Sequence, residues 1–330
     1  MQTDLSEAHV KRRVAELGSL VSEHLLRITV EGRPDVLYEP VRYVLAGQGK
    51  RLRPALLMLC AEMYGVACER ALPAALAIEV SHNWALVHDD IMDAAQMRRG
   101  RQTVHRRWDV STALLCGDVL LGLSLAQLTR AGPARQPLLF KVFTRMVVSL
   151  CEGQALDMAF EARTDVTTPE YLGMIDLKTG ALIGAAMEMG AIFGGASLAE
   201  RTTVRNAGVA LGRAFQIQDD LLDLVVENDQ WGKAIGGDLQ EGKKTILLLE
   251  ALSRAKGDDY DFFDRIQHGA GLNPDDIAGA RRRMDRLGVL DYARKSVSHY
   301  THRAIEQIRT VPQRSDVLVA LMQQMAARGH

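Results

Sequence analysis

The sequence predicts an all-α fold, a large helical bundle that forms a single domain over residues 1–330. Only nine prolines occur in 330 residues, and the long apolar runs repeat with the spacing of one helix face. Ala, Leu, Met, Glu, Arg and Gln dominate these runs, and all six form helices readily. No segment combines alternating β-branched residues with a hairpin turn, and no Ser/Gly/Pro-rich linker divides the chain.

Long helices account for the apolar runs, and they are predicted at 70–93, 109–131, 134–163, 169–194 and 199–226. Some are apolar on most faces, which is typical of central helices enclosed by others in a bundle. Polar loops that contain glycine interrupt the pattern at 94–103 and 228–245, and a third polar region at 255–276 is expected on the surface. Loops rich in arginine, lysine and glycine beside an acidic helix end are candidates for function.

Charge and cysteine content narrow the class of protein and its compartment. The chain has 40 Lys and Arg against 41 Asp and Glu, so no overall field indicates nucleic acid as a partner. Its four cysteines show no CxxC spacing and are expected to be buried thiols in a reducing compartment. The charged N-terminus lacks the apolar core of a signal peptide, and no apolar run is expected to reach the length of a membrane span. We therefore expect a cytoplasmic protein with no transmembrane segment.

An aspartate motif occurs twice, each time at the end of an apolar helix, as DDIMD at 89–93 and DDLLD at 219–223. The first and last aspartates of each motif lie about one turn apart on one helix face, where their charges repel. One such cluster is most often a solvated surface turn, but two copies, each followed by a basic loop that contains glycine, favour bound Mg²⁺. This ion is usually held by one or two carboxylates plus substrate phosphates. We expect the two motifs to face each other across a cavity, bridged by a polyphosphate and several ions.

Lysines and arginines beside these motifs and beside glycine-containing turns are suited to binding phosphate. They are Lys50, Arg53, Arg98, Arg99, Lys178, Lys233 and Lys243. Each one alone is more often a surface cation, but together they outnumber what one diphosphate needs, which indicates two diphosphates. We expect the arginines at 98 and 99 to bind phosphate rather than to pair with the aspartates before them.

These motifs resemble, in their order, those of the trans-isoprenyl diphosphate synthases, also called the polyprenyl synthetase family. The resemblance runs over about residues 30–320 and rests on GKRLRP at 49–54, EVSHNWALVHDDIMD with RRG at 79–100, DLKTG at 176–180, FQIQDDLLD at 215–223 and GKAIGGDLQEGKKT at 232–245. The chain departs from the family's common residues without losing a needed charge at Gln48, Gln102, Gly180, Gly237 and Leu247. The resemblance implies the isoprenoid synthase fold with a central apolar cavity, and a homodimer.

The activity that the resemblance implies is prenyl transfer of the short-chain type. An allylic diphosphate ionises with the help of Mg²⁺, about three ions in all, and isopentenyl diphosphate attacks the carbocation. A proton then leaves, with the released pyrophosphate as the base, so that no side-chain base is required. An apolar cavity protects the carbocation from water.

Residue roles follow from the resemblance at the matching positions. The Mg²⁺ ligands would be Asp89, Asp90, Asp93, Asp219, Asp220 and Asp223. The allylic diphosphate would be held by Arg98, Lys178, Lys233 and Lys243, with Thr179 and Gln216 near the developing carbocation. Isopentenyl diphosphate would be held by Lys50, Arg53, His82 and Arg99. A lone histidine on an apolar helix is usually a core residue, but His82 stands seven residues before Asp89, as in the family.

Trp84 and Ala85 are expected to set the product length. Trp84 lies five residues before Asp89, over one helical turn below the metal site, where a large side chain acts as a floor for the growing chain. The resemblance supports this role, because bulk at this position marks short-chain members, although a plain core tryptophan is the alternative. Ala85 is small, and the first motif lacks the two-residue insertion of bacterial farnesyl-type members. We therefore expect a C20 product more than a C15 product.

Other functions stay open at this point. A terpene cyclase shares the helical architecture, but it needs no second diphosphate site, and its second metal motif usually carries Asn, Ser and Glu. A metal-dependent phosphohydrolase would use His88 and Asp89 as an HD pair, but it would need further His and Asp ligands. A non-catalytic subunit of a heteromeric synthase would tolerate loss of the aspartate motifs. A medium- or long-chain polyprenyl diphosphate synthase is the remaining alternative.

Overall fold

A computed structural model describes residues 7–28, 33–225, 236–269 and 272–327, and these residues are helical apart from loops and one short hairpin. The predicted all-α class is therefore confirmed. The chain divides into two compact units, each assembled from several segments. The first unit comprises Met1–Val147, Leu182–Gly208 and Gln307–Leu321, and the second comprises Val148–Ala181, Val209–Glu306 and Met322–His330. The single domain and the apolar cavity stay predictions.

Helices and strands follow one another along the chain as follows. The elements up to residue 161 are α1 (Glu7–Arg27), α2 (Asp35–Leu45), α3 (Leu52–Met63), α4 (Cys68–Met92), β1 (Met97–Arg98), β2 (Arg101–Gln102), α5 (Val104–Arg107), α6 (Val110–Leu128) and α7 (Gln136–Glu161). The later ones are α8 (Thr168–Ile175), a π-helical turn (Asp176–Gly180), α9 (Ala181–Phe193), α10 (Leu198–Val225), α11 (Gly237–Gln240), α12 (Ile246–Arg254), α13 (Asp258–Gln267), α14 (Pro274–Arg286), α15 (Val289–Thr310) and α16 (Asp316–Ala326).

The first unit is organised around α4, which is buried along most of its length because α1, α3 and α6 pack against it. This environment explains why α4 is apolar on nearly every face, as predicted for a central helix. Its last turn and C-cap carry the first aspartate motif, so the charged end of α4 follows a helix body that is buried from Ala74 to Trp84.

The second unit has its own core, formed by residues of α8, α10 and α12 to α15. Ile217, Leu248, Phe263, Met284 and Val289 are among its fully buried members. Lys244, which is itself buried, donates hydrogen bonds to the carbonyl oxygens of Glu161 at 3.1 Å and Gln267 at 2.8 Å. These carbonyls end α7 and α13, where the helix dipole favours a cation, although burial lowers the pKa of the ammonium. These two hydrogen bonds of Lys244 fix the backbone that carries its neighbour Lys243.

The sequence-based expectations for two segments and one cysteine are wrong. The region 94–103, predicted as a loop, contains a hairpin of two strands of two residues each. Its turn is Arg99-Gly100 instead of the usual Asn-Gly. The region 255–276 is not wholly a surface segment, because α13 buries Phe262, Phe263 and Ile266. Cys151 is exposed, whereas the other cysteines are buried as expected.

One helix bears on the expected absence of a membrane span. The stretch Val110–Ala131, which contains α6, is long and apolar enough to cross a membrane by length and composition, with a mean hydropathy of 1.5. The expectation that no run reaches this length is therefore wrong, although core helices of soluble proteins reach the same length and hydropathy. α6 packs against α2, α4 and α5, and only 33% of its apolar stretch is buried.

Candidate functional site

The first aspartate motif divides into two environments at the end of α4. Asp89 is half-buried and Asp93 is exposed, and the Asp93 amide donates to the Asp89 carbonyl at 2.8 Å, so the two acids lie on one helix face. Asp90 is buried, and it accepts a hydrogen bond from Arg98 Nε at 2.5 Å. Burial raises the pKa of Asp90, and the Arg98 charge opposes that rise. The expectation that the arginines do not pair with these aspartates is wrong for Arg98.

A tight hairpin carries the two arginines that follow the motif. Arg98 pairs with Arg101 across the ladder, and the turn between them has φ angles of 52° at Arg99 and 74° at Gly100. Two consecutive positive φ values define a type I′ turn, which glycine tolerates but which costs an L-residue about 1–2 kcal/mol. The Arg99 side chain reaches the loop between α2 and α3, where Nη1 donates to the Gln48 carbonyl at 3.0 Å. A Cβ at Gly49 would lie 2.8 Å from that nitrogen, so the glycine leaves room for the arginine.

Arg51 fixes the junction between the loop that carries Lys50 and the first turn of α3, which carries Arg53. It precedes α3 in a left-handed conformation with φ of 47°, and its guanidinium is buried. It donates to Glu79 Oε1 at 2.5 Å, to the Gly47 carbonyl at 2.7 Å and to Ser22 Oγ at 3.3 Å. These bonds tie the loop to α1 and α4 and so determine the direction of the cations on either side.

His82 lies beside these cations on α4. It is 9% exposed, and its Nε2 is 3.4 Å from Arg53 Nη1. Burial, followed by the charges of Arg53 and Arg99, holds the pKa of His82 well below its usual value, so the imidazole is neutral near pH 7. It therefore offers a hydrogen bond, while the arginines supply the charge. The structure thus brings Arg53, His82 and Arg99 together, with Lys50 on the adjoining loop.

In the second unit, the π-helical turn after α8 presents Lys178. Single π turns occur often at functional sites, because they displace a side chain from the regular helix. Lys178 Nζ lies 2.5 Å from Asp157 Oδ2 on α7, and Arg213 Nη2 on α10 donates to Asp176 Oδ2 at 2.6 Å. Two glycines allow this close approach. A Cβ at Gly153 would lie 2.5 Å from the Lys178 amide nitrogen, and one at Gly212 would lie 2.6 Å from Gly180 Cα.

A hydrogen-bond chain links Thr179 to the second aspartate motif. Thr179 Oγ1 donates to Gln216 Oε1 at 3.0 Å, and Gln216 Nε2 donates to Asp220 Oδ1 at 3.1 Å. The Tyr171 hydroxyl donates to the other oxygen of Asp220, which is buried. Burial raises the pKa of Asp220, and the nearby Asp238 acts in the same direction. Both oxygens of Asp220 are therefore engaged within the protein.

The remaining predicted residues of the second unit are placed as follows. Asp219 and Asp223 are half-buried, and Asp223 Oδ2 accepts from the Asp238 amide at 3.1 Å. Lys243 is half-buried, with its Nζ 3.0 Å from Glu241 Oε2. The predicted ligand Lys233 lies outside the described residues.

The aspartates fit Mg²⁺ in a particular way. Across the part of the chain that the structure describes, no group of three or more His, Cys, Asp or Glu side chains forms a ready ligand set. Mg²⁺ does not need one, because it takes one or two carboxylates and completes its shell with water and substrate phosphates. Within each motif the first and last aspartates are more accessible than the second. The donor chemistry therefore fits an ion that arrives with a phosphate.

Trp84 and His88 form a wall along α4. Trp84 is 7% exposed, and its ring meets that of His88 edge-on at 5.9 Å, whereas Ala85 is half-buried. His88 in turn lies against α6, where a Cβ at Gly117 would come within 2.0 Å of its Nε2. The phosphohydrolase alternative needs His88 as a metal ligand, and this packing against α6 leaves it little support.

Sequence reasoning missed the residues that hold the predicted ones in place. They are Arg51, Glu79, Asp157, Tyr171 and Arg213. Glu79 had a usable signal, because an acid within the apolar run LAIEVSH needs a buried cation. The other pairings join residues distant in sequence and leave no local pattern.

Comparison with known proteins gives a consistent result. The family model described as polyprenyl synthetase matches residues 34–282. The geranylgeranyl diphosphate synthase of Methanosarcina mazei is 37% identical over 301 residues, covering 91% of this chain and 90% of that protein. The geranylfarnesyl diphosphate synthase of Natronomonas pharaonis is 37% identical, covering 93% of this chain and 94% of that protein. The crystal structure of geranylgeranyl pyrophosphate synthetase from Pyrococcus horikoshii superposes with a TM-score of 0.88 at 35% identity, covering 97% of this chain and 99% of that one.

The Gly153 contact can be tested through pyrophosphate binding. Gly153→Ala places a methyl group against the Lys178 backbone, so we expect Mg²⁺-dependent affinity for pyrophosphate to fall about tenfold, the scale of one charge-assisted contact. Isothermal titration calorimetry measures this, with the unfolding temperature recorded alongside. Gly173→Ala on α8 is the matched control, because its Cβ meets no atom within 4 Å, and its affinity should not change.

Should Gly153→Ala unfold, Lys178→Gln tests the same cation. Unchanged affinity in a folded Gly153→Ala protein would contradict the role of this contact.

Proposed function

Because this chain belongs to the polyprenyl synthetase family and is a short-chain trans-prenyltransferase, we propose that it condenses isopentenyl diphosphate with an allylic diphosphate to give C20 geranylgeranyl diphosphate. The observation that carries the proposal is the cationic cluster of the first unit, where Arg53, His82 and Arg99 gather beside Lys50. This cluster suits a diphosphate. A terpene cyclase has no use for a second diphosphate site, so the cluster also favours the transferase over that alternative.

Isopentenyl diphosphate is assigned to this cluster. Arg53 and Arg99 supply charge to the phosphate oxygens, and Lys50 on the exposed loop adds a third cation. Neutral His82 donates one hydrogen bond without adding repulsion among the cations. The buried Arg51–Glu79 pair holds the loop, so the cations are oriented before the substrate arrives.

The allylic diphosphate is assigned to Arg98, Lys178, Lys233 and Lys243, and Mg²⁺ to the aspartate motifs. Asp89, Asp93, Asp219 and Asp223 are proposed as the ion's direct ligands. Asp90 and Asp220 are proposed as anchors, since Arg98 binds the first and Gln216 with Tyr171 bind the second. When bound, Mg²⁺ neutralises the leaving pyrophosphate; about three ions are expected. Lys178, now paired with Asp157, exchanges that partner for phosphate.

Thr179 and Gln216 are proposed to face the allylic carbon as it becomes positive. The chain from Thr179 through Gln216 to Asp220 fixes the orientation of both polar groups. Fixed dipoles stabilise developing charge without reorganising during the reaction. The proton lost at the end passes to the released pyrophosphate, so these groups need only orient and exclude water.

A homodimer in the cytoplasm is part of the proposal. Val110, Leu114 and Leu115 of α6 are exposed to 50%, 46% and 56%, which is unusual for apolar residues of a long helix. A second copy of the chain against this face would bury them and would account for the apolar composition of α6 without a membrane.

The proposed function is tested by product analysis. Purified protein is incubated with Mg²⁺, farnesyl diphosphate and isopentenyl diphosphate, and the dephosphorylated products are separated by chromatography. We expect geranylgeraniol as the main product and none when EDTA is present. A cyclic hydrocarbon would indicate a cyclase, free phosphate alone a phosphohydrolase, and no product a non-catalytic subunit. A main product beyond C25 would indicate a longer-chain synthase.

Substitution of a proposed Mg²⁺ ligand and substitution of a proposed anchor are predicted to affect different properties, turnover in the first case and stability in the second. Asp89→Asn and Asp219→Asn each remove a proposed Mg²⁺ ligand, so we expect kcat to fall at least about a hundredfold with little change in unfolding temperature. Asp90→Asn keeps an oxygen for Arg98 but weakens a buried ion pair, so it should lower the unfolding temperature and leave the Mg²⁺ requirement unchanged. Kinetics across a Mg²⁺ titration and thermal unfolding make the comparison. Near wild-type turnover of Asp89→Asn at saturating Mg²⁺ would rule out its role as a ligand.

Product length is predicted to depend on Trp84. Trp84→Ala should shift the products to longer chains by one or more isoprene units, because the wall below the metal site loses its largest side chain. A change of this size costs about 3–5 kcal/mol, so folding is checked by circular dichroism. Trp84→Phe keeps an aromatic ring and should give an intermediate distribution. If folded Trp84→Ala makes only the wild-type product, Trp84 is a core residue and not the floor.

A further inference from the structure

Tyr43 on α2 contacts the arginine hairpin through its hydroxyl, its carbonyl and its ring. The hydroxyl donates to the Gln102 carbonyl at 2.8 Å, and the Tyr43 carbonyl accepts from Arg101 Nη1 at 3.1 Å. The two hydrogen bonds run in opposite directions between one residue of α2 and two neighbouring residues of β2. They therefore hold the strand in both position and orientation.

The Tyr43 ring adds a second set of contacts. The Arg101 guanidinium lies 3.7 Å from the ring centroid, and that of Arg107 lies 4.5 Å from it. Trp108 meets the same ring edge-on, with centroids 5.3 Å apart. Cation–π contacts are attractive, and more strongly so when the cation and the ring are desolvated. The ring thus joins β2 to the C-terminal end of α5.

The hairpin needs such support. It is a ladder of two residue pairs, Met97 with Gln102 and Arg98 with Arg101, and an isolated two-stranded hairpin is marginal in water. Its turn holds Arg99 at a φ of 52°, which strains the backbone. The hairpin also borders a pocket of about 70 Å³ that is lined in part by Asn83, Val87 and Asp90 of α4, so this side of it is not closely packed.

One of the two residues that Tyr43 holds lies directly opposite a proposed phosphate-binding residue. Arg101 is the ladder partner of Arg98, which reaches Asp90, and Gln102 is the partner of Met97 in the adjoining pair. Arg99 follows Arg98 and reaches the Gln48 carbonyl just beyond α2. The same helix therefore fixes the hairpin at Tyr43 and receives its turn a few residues later.

We propose that Tyr43 is a positioning residue that clamps the hairpin to α2, so that Arg98 and Arg99 point at the two diphosphates. The proposal rests on the phosphate-binding roles proposed for these arginines. Tyr43 touches no substrate, and its effect on the reaction passes through them. The hydrogen bond of the hydroxyl fixes the distance between β2 and α2, and the ring contacts fix the orientation of the strand.

A double-mutant cycle tests the clamp. Tyr43→Phe removes the hydroxyl and keeps the ring, and we expect the KM for isopentenyl diphosphate to rise about three- to tenfold, the scale of one lost hydrogen bond, with kcat nearly unchanged. Tyr43→Leu removes both and should raise it further. In an Arg99→Gln background, Tyr43→Phe should change this KM by less than about twofold, because coupled residues do not act additively. In an Arg53→Gln background the full effect of Tyr43→Phe should return, since Arg53 is not on the hairpin.

A second tyrosine of α2 distinguishes the clamp from a general loss of helix stability. Tyr38→Phe on the same helix is the control, and its KM should equal that of the wild type. An equal rise in KM for Tyr43→Phe with and without Arg99 would overturn the proposal, and so would a fall in kcat and unfolding temperature with no change in KM. If Arg99→Gln alone leaves the KM unchanged, the assignment of Arg99 to the substrate fails instead. Tyr43→Phe is conservative enough to be expected to retain the fold, and its unfolding temperature is measured to check this.

Discussion

The guanidinium of Arg51 is the fixed point from which the first unit positions its cations. It binds a carboxylate on α4, a carbonyl in the loop after α2 and a hydroxyl on α1, and Arg51 itself directly precedes α3. A buried ion pair of this kind adds little net stability compared with apolar residues, but breaking it leaves a charge unpaired at a cost of about 3–5 kcal/mol. Its benefit is geometric. Lys50 and Arg53 lie close to a side chain that three hydrogen bonds hold in place, so the backbone between them keeps its shape although the like charges repel one another.

Both aspartate motifs reduce the charge repulsion between adjacent carboxylates in the same manner. In a helix, the second residue of the motif is rotated by about 100° from the first, while the fifth returns to the face of the first. The second aspartate is therefore buried in each case, where Arg98 binds Asp90 and where Tyr171 and Gln216 bind Asp220. The outer two remain accessible on one face. Helix geometry thus separates a structural acid from a pair of acids suited to a cation, and the repulsion that the motif suggests is relieved before any ion binds.

Helical periodicity was sufficient to predict the all-α class and the positions of the longest helices, because α4 and α10 obey the apolar pattern that their burial requires. The family resemblance of the motifs was sufficient to select residues such as His82 and Arg99, which the fold then brings to one place. The supporting residues had no such signal. Asp157 and Lys178 lie on different helices and meet because Gly153 has no side chain, a fact that depends on the distance between backbones. The hairpin was missed for a related reason, since its turn uses an arginine where local preference favours asparagine.

That turn also constrains how the chain can change. Asparagine at position 99 would relieve the left-handed backbone, and it would abolish the cation that reaches Gln48 and the proposed substrate. Position 100 admits hardly any residue but glycine, because its φ is 74°. The most favourable substitution for folding is therefore the least favourable one for binding. A library of variants selected for thermal stability alone would be enriched in Asn-Gly at this turn and would contain stable but inactive proteins. A library selected for turnover would retain Arg-Gly, and its stabilising substitutions would lie elsewhere in the molecule.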